Sequence, residues 1–163
     1  MKNNAQMVHV QTVLVVDDDP EWLTFLSRTI GSQYPVLSAA NGEDAVRSAR
    51  SACPDVIILD VVMPGGRDGF TVFKELQNDP RTQDIPVIML SEVNRKTDLD
   101  FGAENMNRYL DKAPAAFLEK PISAVRLLDT VRDVLRRGGS DEWSDPWVER
   151  RMVKQPASIM SEA

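Results

Sequence analysis

The chain has 163 residues, of which 42% are hydrophobic and 27% charged, and this length suits one domain with its own core. Acidic residues outnumber basic ones by 25 to 19, and the net charge of −6 argues against binding to nucleic acid or to an anionic membrane. No apolar run approaches the roughly 18 residues that cross a bilayer, and the N-terminus lacks the apolar segment of a signal peptide. We therefore expect a soluble, cytoplasmic protein.

Two residue counts remove whole classes of active site. Cys53 is the single cysteine, so the chain can form neither an internal disulfide nor a cysteine-based zinc site, and we expect it to be a small packing residue. His9 is the single histidine and precedes the first predicted strand, which indicates a solvated side chain. A catalytic dyad or triad of histidines is therefore excluded.

The first predicted strand covers Thr12–Val16, a short apolar run rich in Val, and three aspartates follow it directly. Asp19 stands before a proline, which is the pattern of an N-cap residue at a helix start. Asp17 and Asp18 have no comparable explanation, since like charges crowded at a strand end repel one another. A divalent cation bound to them would remove that repulsion. The helix that follows is predicted to end at Gly31 and has these apolar residues at helical spacing: Trp22, Leu23, Leu26 and Ile30.

The stretch Asp55–Pro64 contains the strand that is most informative about function. Val, Ile and Leu flank a single carboxylate there, Asp60, and such near-continuous apolar runs are typical of a parallel sheet covered on both faces. An ionised carboxylate is costly to bury unless it is paired or bound to a metal, and ligands bind at the carboxyl ends of such strands. Asp60 is therefore the candidate reactive group.

The rest of the chain alternates strands and helices in the same way. Pro35–Ala39 is predicted as a strand nearer the sheet edge, with Ile85–Leu90 and Ala115–Leu118 as the fourth and fifth strands. Ser123 is expected to cap the last helix. The remaining helices have these apolar residues at helical spacing: Ala45, Val46, Ala49 and Ala52; Phe70, Phe73 and Leu76; Leu99, Ala103, Met106 and Leu110; Val125, Leu128, Val131 and Leu135. Alternation of five strands with five helices predicts an α/β fold with a parallel sheet.

Polar side chains stand at the ends of four predicted strands. The carboxyl ends of parallel strands lie at the same edge of a sheet, so that edge should collect these residues: Asp17, Asp18, Asp60, Ser91 and Lys120. Carboxylates around a hard cation, with a hydroxyl and an ammonium nearby, suit phosphoryl chemistry. Magnesium takes one or two carboxylates plus phosphate oxygens, and a lysine balances remaining negative charge.

Four motifs in this order resemble the response-regulator receiver family of two-component signalling: Val15–Pro20, Ile58–Pro64, Met89–Ser91 and Phe117–Pro121. The resemblance covers about residues 11–137 and implies a flavodoxin-like (βα)5 three-layer fold, whose parallel five-stranded sheet has strand order 2-1-3-4-5. Residues 1–10 would then be a flexible N-terminus, 11–138 the receiver domain and 139–163 a C-terminal tail with room for a short helix near 146–154. The chain would be a stand-alone receiver and not an enzyme.

The resemblance also implies the metal site and the chemistry. Asp60 would be the phosphoacceptor that takes a phosphoryl group from a histidine kinase. Mg²⁺ would be bound directly by Asp18, by Asp60 and by the backbone carbonyl of Val62, with Asp17 acting through water. The receiver would assist its own phosphorylation and dephosphorylation.

Three further residues would respond to the phosphoryl group. The resemblance implies that Ser91 hydrogen-bonds it, that Lys120 pairs with it, and that Phe117 acts with Ser91 as a switch. The signal would pass by protein contact to a downstream target or dimer partner, through the predicted fourth helix, fifth strand and fifth helix and the tail.

The sequence departs from the family pattern at the rim of this site. Glu92 follows Ser91 where the family usually has a small residue, and we hypothesise that it restricts access to the phosphoryl group. Val62 offers no polar side chain to orient an attacking water, which predicts slow self-hydrolysis. The loop after Pro64 has an extra residue, and the segment 92–116 is enlarged, either to suit a partner or as a plain loop insertion.

The sequence leaves two other functions open. Asp17 and Asp19 have the spacing of nucleophile and acid in haloacid-dehalogenase-type phosphatases, although Pro20 follows directly and there is no room for a cap domain. A phosphorylation-independent interaction module is the other alternative. The tail is too short for an output domain, and its Trp143 and Trp147 are expected to dock on the receiver, on a second copy or on another protein.

Overall fold

The computed structural model describes residues 9–64, 67–92 and 112–137. Strands and helices alternate within these ranges as follows: β1 Val13–Val16, α1 Pro20–Gly31, β2 Val36–Ala39, α2 Gly42–Ala52, β3 Val56–Asp60, α3 Gly69–Asn78, β4 Val87–Glu92, β5 Ala116–Lys120 and α4 Ala124–Arg137. Here α4 is the helix predicted as the fifth. The predicted helix at 99–110, the tail and most of the predicted flexible N-terminus lie outside the described residues. Of the helices in the described ranges, none is long and apolar enough to cross a membrane.

All the strands pair in parallel, and their order in the sheet is β2-β1-β3-β4-β5. This confirms the predicted fold, with β2 at one edge. The register places Val16 beside both Ala39 and Leu59, and Asp60 beside Leu90. The carboxyl ends of the central strands therefore lie level with one another, which brings the residues just after them together.

The core has two layers because helices cover both faces of the sheet. Residues of α2 and α3 pack on one face with Leu14 and Ile57, and residues of α1 and α4 pack on the other with Val15 and Ile58. Neighbouring residues in a strand point to opposite faces, so every residue of β1 meets a helix and all are fully buried. This explains the continuous apolar runs, which lack the alternation of a half-exposed strand.

The helices begin with capping side chains that the sequence supplies just after the strand ends. The Asp19 carboxylate accepts the backbone N–H of Glu21 at 2.9 Å, which confirms the predicted cap of α1. The Ser123 hydroxyl accepts a backbone N–H in the first turn of α4 at 3.3 Å, also as predicted. Asn41 and Asp68 cap α2 and α3 in the same way. The caps fix where each helix starts relative to the sheet edge.

Two details of the prediction were wrong. On α4, Val125 is 70% exposed, whereas Leu127 and Val134 are buried together with the correctly predicted Val131. At 100° per residue Val125 falls outside the arc that faces the sheet, so an apolar residue there does not mark the core. Cys53 is exposed and adopts a left-handed conformation (φ 45°) after α2, so it is not a packing residue.

Candidate functional site

Three aspartates meet at the carboxyl edge of the sheet. Asp17 and Asp18 follow β1 directly, Asp60 ends β3, and one carboxylate oxygen from each lies within 4.8 Å of the other two. Asp17 and Asp60 are 0% and 3% exposed, whereas Asp18 is open to solvent. Together with Lys120 we call these residues the acidic pocket.

Asp17 has a partner for each of its oxygens. Its Oδ1 accepts the backbone N–H of Asp19 at 2.9 Å, and its Oδ2 accepts a hydrogen bond from Lys120 Nζ at 2.6 Å. A fully buried carboxylate is tolerated when it is paired and hydrogen-bonded in this way. Asp17 therefore anchors the lysine and the turn into α1.

Lys120 is the last residue of β5 and is itself buried. The two-residue alternation of the strand puts it on the same face of the sheet as Leu118, which packs in the layer of α1 and α4. Its ammonium lies 3.5 Å from Asp60 Oδ1, farther than from Asp17. It also lies over the indole ring of Trp22, 4.8 Å from the ring centroid.

Of the two buried carboxylates, Asp60 has its charge less well compensated than Asp17. Burial raises the pKa of its carboxyl from 3.8 to about 7, and the nearby charge of Asp17 acts in the same direction. The Lys120 ammonium and the backbone N–H of Val62 oppose this rise in pKa without cancelling it. A carboxylate whose surroundings favour its neutral form is typical of a functional site, because a buried ionic pair made for stability would have the opposite shift.

The backbone around Asp60 depends on a glycine that the sequence analysis passed over. Gly69 begins α3, and its N–H donates to the Val61 carbonyl at 2.9 Å. A Cβ at this position would stand 2.3 Å from the Asp60 carbonyl oxygen and 2.8 Å from Val61 Cα. Only glycine lets α3 start this close to the end of β3, so it helps to fix the Asp60 backbone.

The remaining predicted residues lie on strands β4 and β5 or just after β3. Ser91 lies within β4 and is half-buried, and its hydroxyl donates to the Glu92 carbonyl at 3.2 Å. Phe117 is half-buried against the core layer of α2 and α3. Val62 is 55% exposed, and Glu92 is exposed opposite Lys120 in the β4–β5 pairing. Their roles in metal binding, switching and access stay predictions.

Comparisons with known proteins agree with this geometry. The family model of the response regulator receiver domain matches residues 13–132. The chain belongs to the response regulator receiver family.

Relatives of this receiver include both short and long proteins. It is 36% identical over 124 residues to protein PilH of Pseudomonas aeruginosa, and this match covers 76% of this chain and 96% of PilH. It is 37% identical over 125 residues to the response regulator PleD of Caulobacter vibrioides, but this match covers only 26% of PleD. Among solved structures, chemotaxis protein CheY4 of Vibrio cholerae superposes with a TM-score of 0.65 at 29% identity, covering 77% of this chain and 99% of CheY4.

The receiver fold brings together most of the residues that the sequence pointed to: Asp17, Asp18, Asp60 and Lys120. Sequence reasoning missed Gly69, and it named Trp22 only as an apolar residue of the first helix, without its contact to Lys120. The signal for Trp22 was present, because the first turn of a helix that follows a parallel strand lies near that strand's carboxyl end.

Proposed function

We propose that this receiver accepts a phosphoryl group on Asp60 from a phosphohistidine of a histidine kinase and passes the signal on by protein contact. The observation that carries the proposal is the placement of Asp60. It is a buried carboxylate at a strand end, next to two further carboxylates and a buried ammonium. Burial and the charge of Asp17 raise the pKa of its carboxyl, which supports a functional role rather than that of a structural ion pair.

In the proposed transfer, a carboxylate oxygen of Asp60 attacks the phosphorus atom. A P–O bond to Asp60 forms, and the P–N bond to the histidine ring, or the P–O bond to a small phosphodonor, breaks with its electron pair. Bound Mg²⁺ would favour the ionised form of Asp60, so that no base in the pocket would have to remove a proton from the attacking carboxylate. Lys120 lies where it can balance the charge on the phosphoryl oxygens.

The donor set fits a divalent cation. Asp18 and Asp60 supply hard carboxylate oxygens, and Val62 continues the chain beyond Asp60, where its carbonyl could complete the set. Both oxygens of Asp17 already have partners, which supports its predicted action through water. A bound Mg²⁺ supplies positive charge that favours the ionised form of Asp60 and offsets charge on the phosphoryl oxygens.

After transfer, the new charge on Asp60 would bias the elements around it. Lys120 ends β5 and Ser91 lies in β4, so both strands carry a group that can turn toward the phosphoryl oxygens. Phe117, three residues before Lys120 on β5 and half-buried, would report that change to the surface. We propose that the downstream target or dimer partner is recognised on the surface of β4, β5 and α4.

The phosphatase alternative fits the structure poorly. Its acid would be Asp19, but that carboxylate caps α1. Its nucleophile would be Asp17, whose two oxygens are taken up by the Asp19 N–H and by Lys120. Asp60 would be left without a function.

The test is to incubate the full chain with acetyl phosphate and Mg²⁺ and to map the phosphorylated residue by mass spectrometry after borohydride trapping. We expect the label on Asp60 and none on the Asp60→Asn variant. Asp79→Asn, which changes an aspartate at the far end of α3, serves as the matched control and should be labelled like the wild type.

Each other outcome points to a different function. Label on Asp17 would support the phosphatase reading and overturn the proposal. A folded wild-type protein that takes up no phosphate from either acetyl phosphate or a phosphorylated kinase would favour the interaction module instead.

A further inference from the structure

The ammonium of Lys120 has a third neighbour besides the two carboxylates. The indole ring of Trp22 lies 4.8 Å from Nζ, measured to the ring centroid. This is within the range of a cation–π interaction, and tryptophan offers the strongest ring for it. The ammonium is buried, so the attraction is not screened by water as it would be at the surface.

The ring is itself held in place. Trp22 is in the first turn of α1, and Phe25 packs against it edge to face, with the ring centroids 5.5 Å apart and the planes at 88°. Both side chains are half-buried against the core layer of α1 and α4. Helix α1 is tied to the pocket by the Asp19 N–H, which donates to Asp17. The ring and the acidic pocket are therefore parts of one connected unit.

We propose that Trp22 is a positioning residue for Lys120, an inference that rests on the function proposed above. The indole face keeps the ammonium between Asp17 and Asp60 and away from solvent. In the structure Lys120 Nζ lies 2.6 Å from Asp17 Oδ2 and 3.5 Å from Asp60 Oδ1. It must therefore shift toward Asp60 to pair with a phosphoryl group there.

The kind of contact suits that shift. A hydrogen bond has a narrow range of distance and angle, whereas attraction to a ring face changes little when a cation slides across it by a fraction of an ångström. Trp22 can therefore restrain Lys120 in both positions, and it adds no acceptor that would compete with the phosphoryl oxygens.

The experiment compares Trp22→Leu and Trp22→Phe with the wild type in two measurements. One is the rate of Asp60 phosphorylation by acetyl phosphate at saturating Mg²⁺, and the other is the Mg²⁺ dissociation constant from calorimetry. We expect phosphorylation to slow by about tenfold in Trp22→Leu and by less in Trp22→Phe, which keeps a ring. Mg²⁺ affinity should be unchanged or higher, because the cation binds carboxylates and not Lys120.

A purely structural side chain should affect stability but not the rate of phosphorylation. Leu23→Ala is the control for this, because it removes a half-buried side chain from the same helix and core layer and should lower stability without slowing phosphorylation. In a Lys120→Met background, Trp22→Leu should have no further effect on the phosphorylation rate. The free energies of unfolding, measured without metal, should also be non-additive: Trp22→Leu should cost less stability in the Lys120→Met background than in the wild type.

Failure of this inference can be told apart from failure of the proposed function. If wild type is labelled on Asp60 but Trp22→Leu is phosphorylated as fast, Trp22 does not position Lys120. Parallel loss of Mg²⁺ affinity and phosphorylation, or additive effects with Lys120→Met, would also overturn the inference. If Asp60 of the wild type takes no label, the proposed function itself is wrong.

Discussion

The receiver contains two clusters of charged side chains with opposite character. The acidic pocket has three carboxylates and one ammonium around the end of β3. The second cluster, which we call the α2–α3 charge cluster, lies on the surface between these helices: Arg50, Arg67, Glu75, Asp79 and Arg81. In the first cluster negative charge is in excess and two of the three carboxylates are buried. In the second each carboxylate has two guanidinium partners.

The pKa values of one aspartate in each cluster record this difference. Burial and the charge of Asp17 raise the pKa of Asp60 to about 7. Hydrogen bonds from the side chain and backbone of Arg81, and then from Arg50, hold the pKa of Asp79 well below its usual range. The contacts within the α2–α3 charge cluster stabilise the ionised form of Asp79, whereas the surroundings of Asp60 in the acidic pocket favour its neutral form.

The largest expected effect comes from removing the only cation of the acidic pocket in the described part of the chain. Without divalent metal, Lys120→Met should lower the free energy of unfolding by about 3–5 kcal/mol, because Asp17 would be left buried without its ion-pair partner. Arg47→Met is the matched control, since Arg47 makes only exposed ion pairs and should cost less than about 1 kcal/mol. Urea unfolding measures both, and equal losses would remove the distinction between buried and exposed charge.

Next in size is the effect of neutralising Asp60. Its folded-state pKa of about 7 is above the ordinary 3.8, so the folded protein holds this proton more tightly than the unfolded chain. The carboxyl therefore favours folding at low pH, and that contribution is lost as the pH rises from about 4 to about 7.

Asp60→Asn should accordingly be more stable than the wild type at pH 8 without metal, by roughly 3 kcal/mol. The gain should shrink as the pH falls toward 4. Asp79→Asn should behave in the opposite sense and be less stable than the wild type at neutral pH. Thermal unfolding across this pH range checks both, and an Asp60→Asn protein that is less stable than wild type at every pH would contradict the account.

The third test asks whether the pocket depends on backbone geometry as well as charge. Gly69→Ala should cost roughly 2 kcal/mol of stability and weaken Mg²⁺ binding, because its Cβ would meet the Asp60 carbonyl oxygen at 2.3 Å. Gly31→Ala is the control, since its Cβ would meet only Val36 Cγ2, at an ordinary 3.9 Å. Similar stability for both variants, measured by urea unfolding, would show that the approach of α3 to β3 is not tight.

The smallest effect is expected at the exposed rim. Val62→Asn should speed hydrolysis of the phosphorylated form by several-fold, roughly 1 kcal/mol of barrier, because an amide can orient an attacking water. Val62 is 55% exposed, so stability should hardly change. The half-life of the acyl phosphate measures the effect, with Val125→Asn as an exposed control on α4. An unchanged half-life would show that Val62 does not set the lifetime.

Most of the pocket follows from the sequence because topology alone creates it. Runs of Val, Ile and Leu fix buried parallel strands, and such strands place Asp17, Asp60 and Lys120 at one edge whatever the details of packing. What the pattern of residues does not contain is how closely helices approach. The Gly69 contact depends on where α3 starts, and the Trp22–Lys120 contact depends on where the first turn of α1 lies relative to the carboxyl end of β5. Which side of α4 faces the sheet also depends on packing, and for this reason Val125 was wrongly predicted to face the core.

The most direct test of the central claim is the response of stability to Mg²⁺ in wild type and Asp60→Asn, measured side by side at pH 8. The account predicts that millimolar Mg²⁺ raises the free energy of unfolding of the wild type and removes most of the advantage of Asp60→Asn, with Asp79→Asn responding like the wild type. Equal Mg²⁺ responses of wild type and Asp60→Asn, or no response in either, would contradict the claim that the pocket is built to receive a cation beside Asp60.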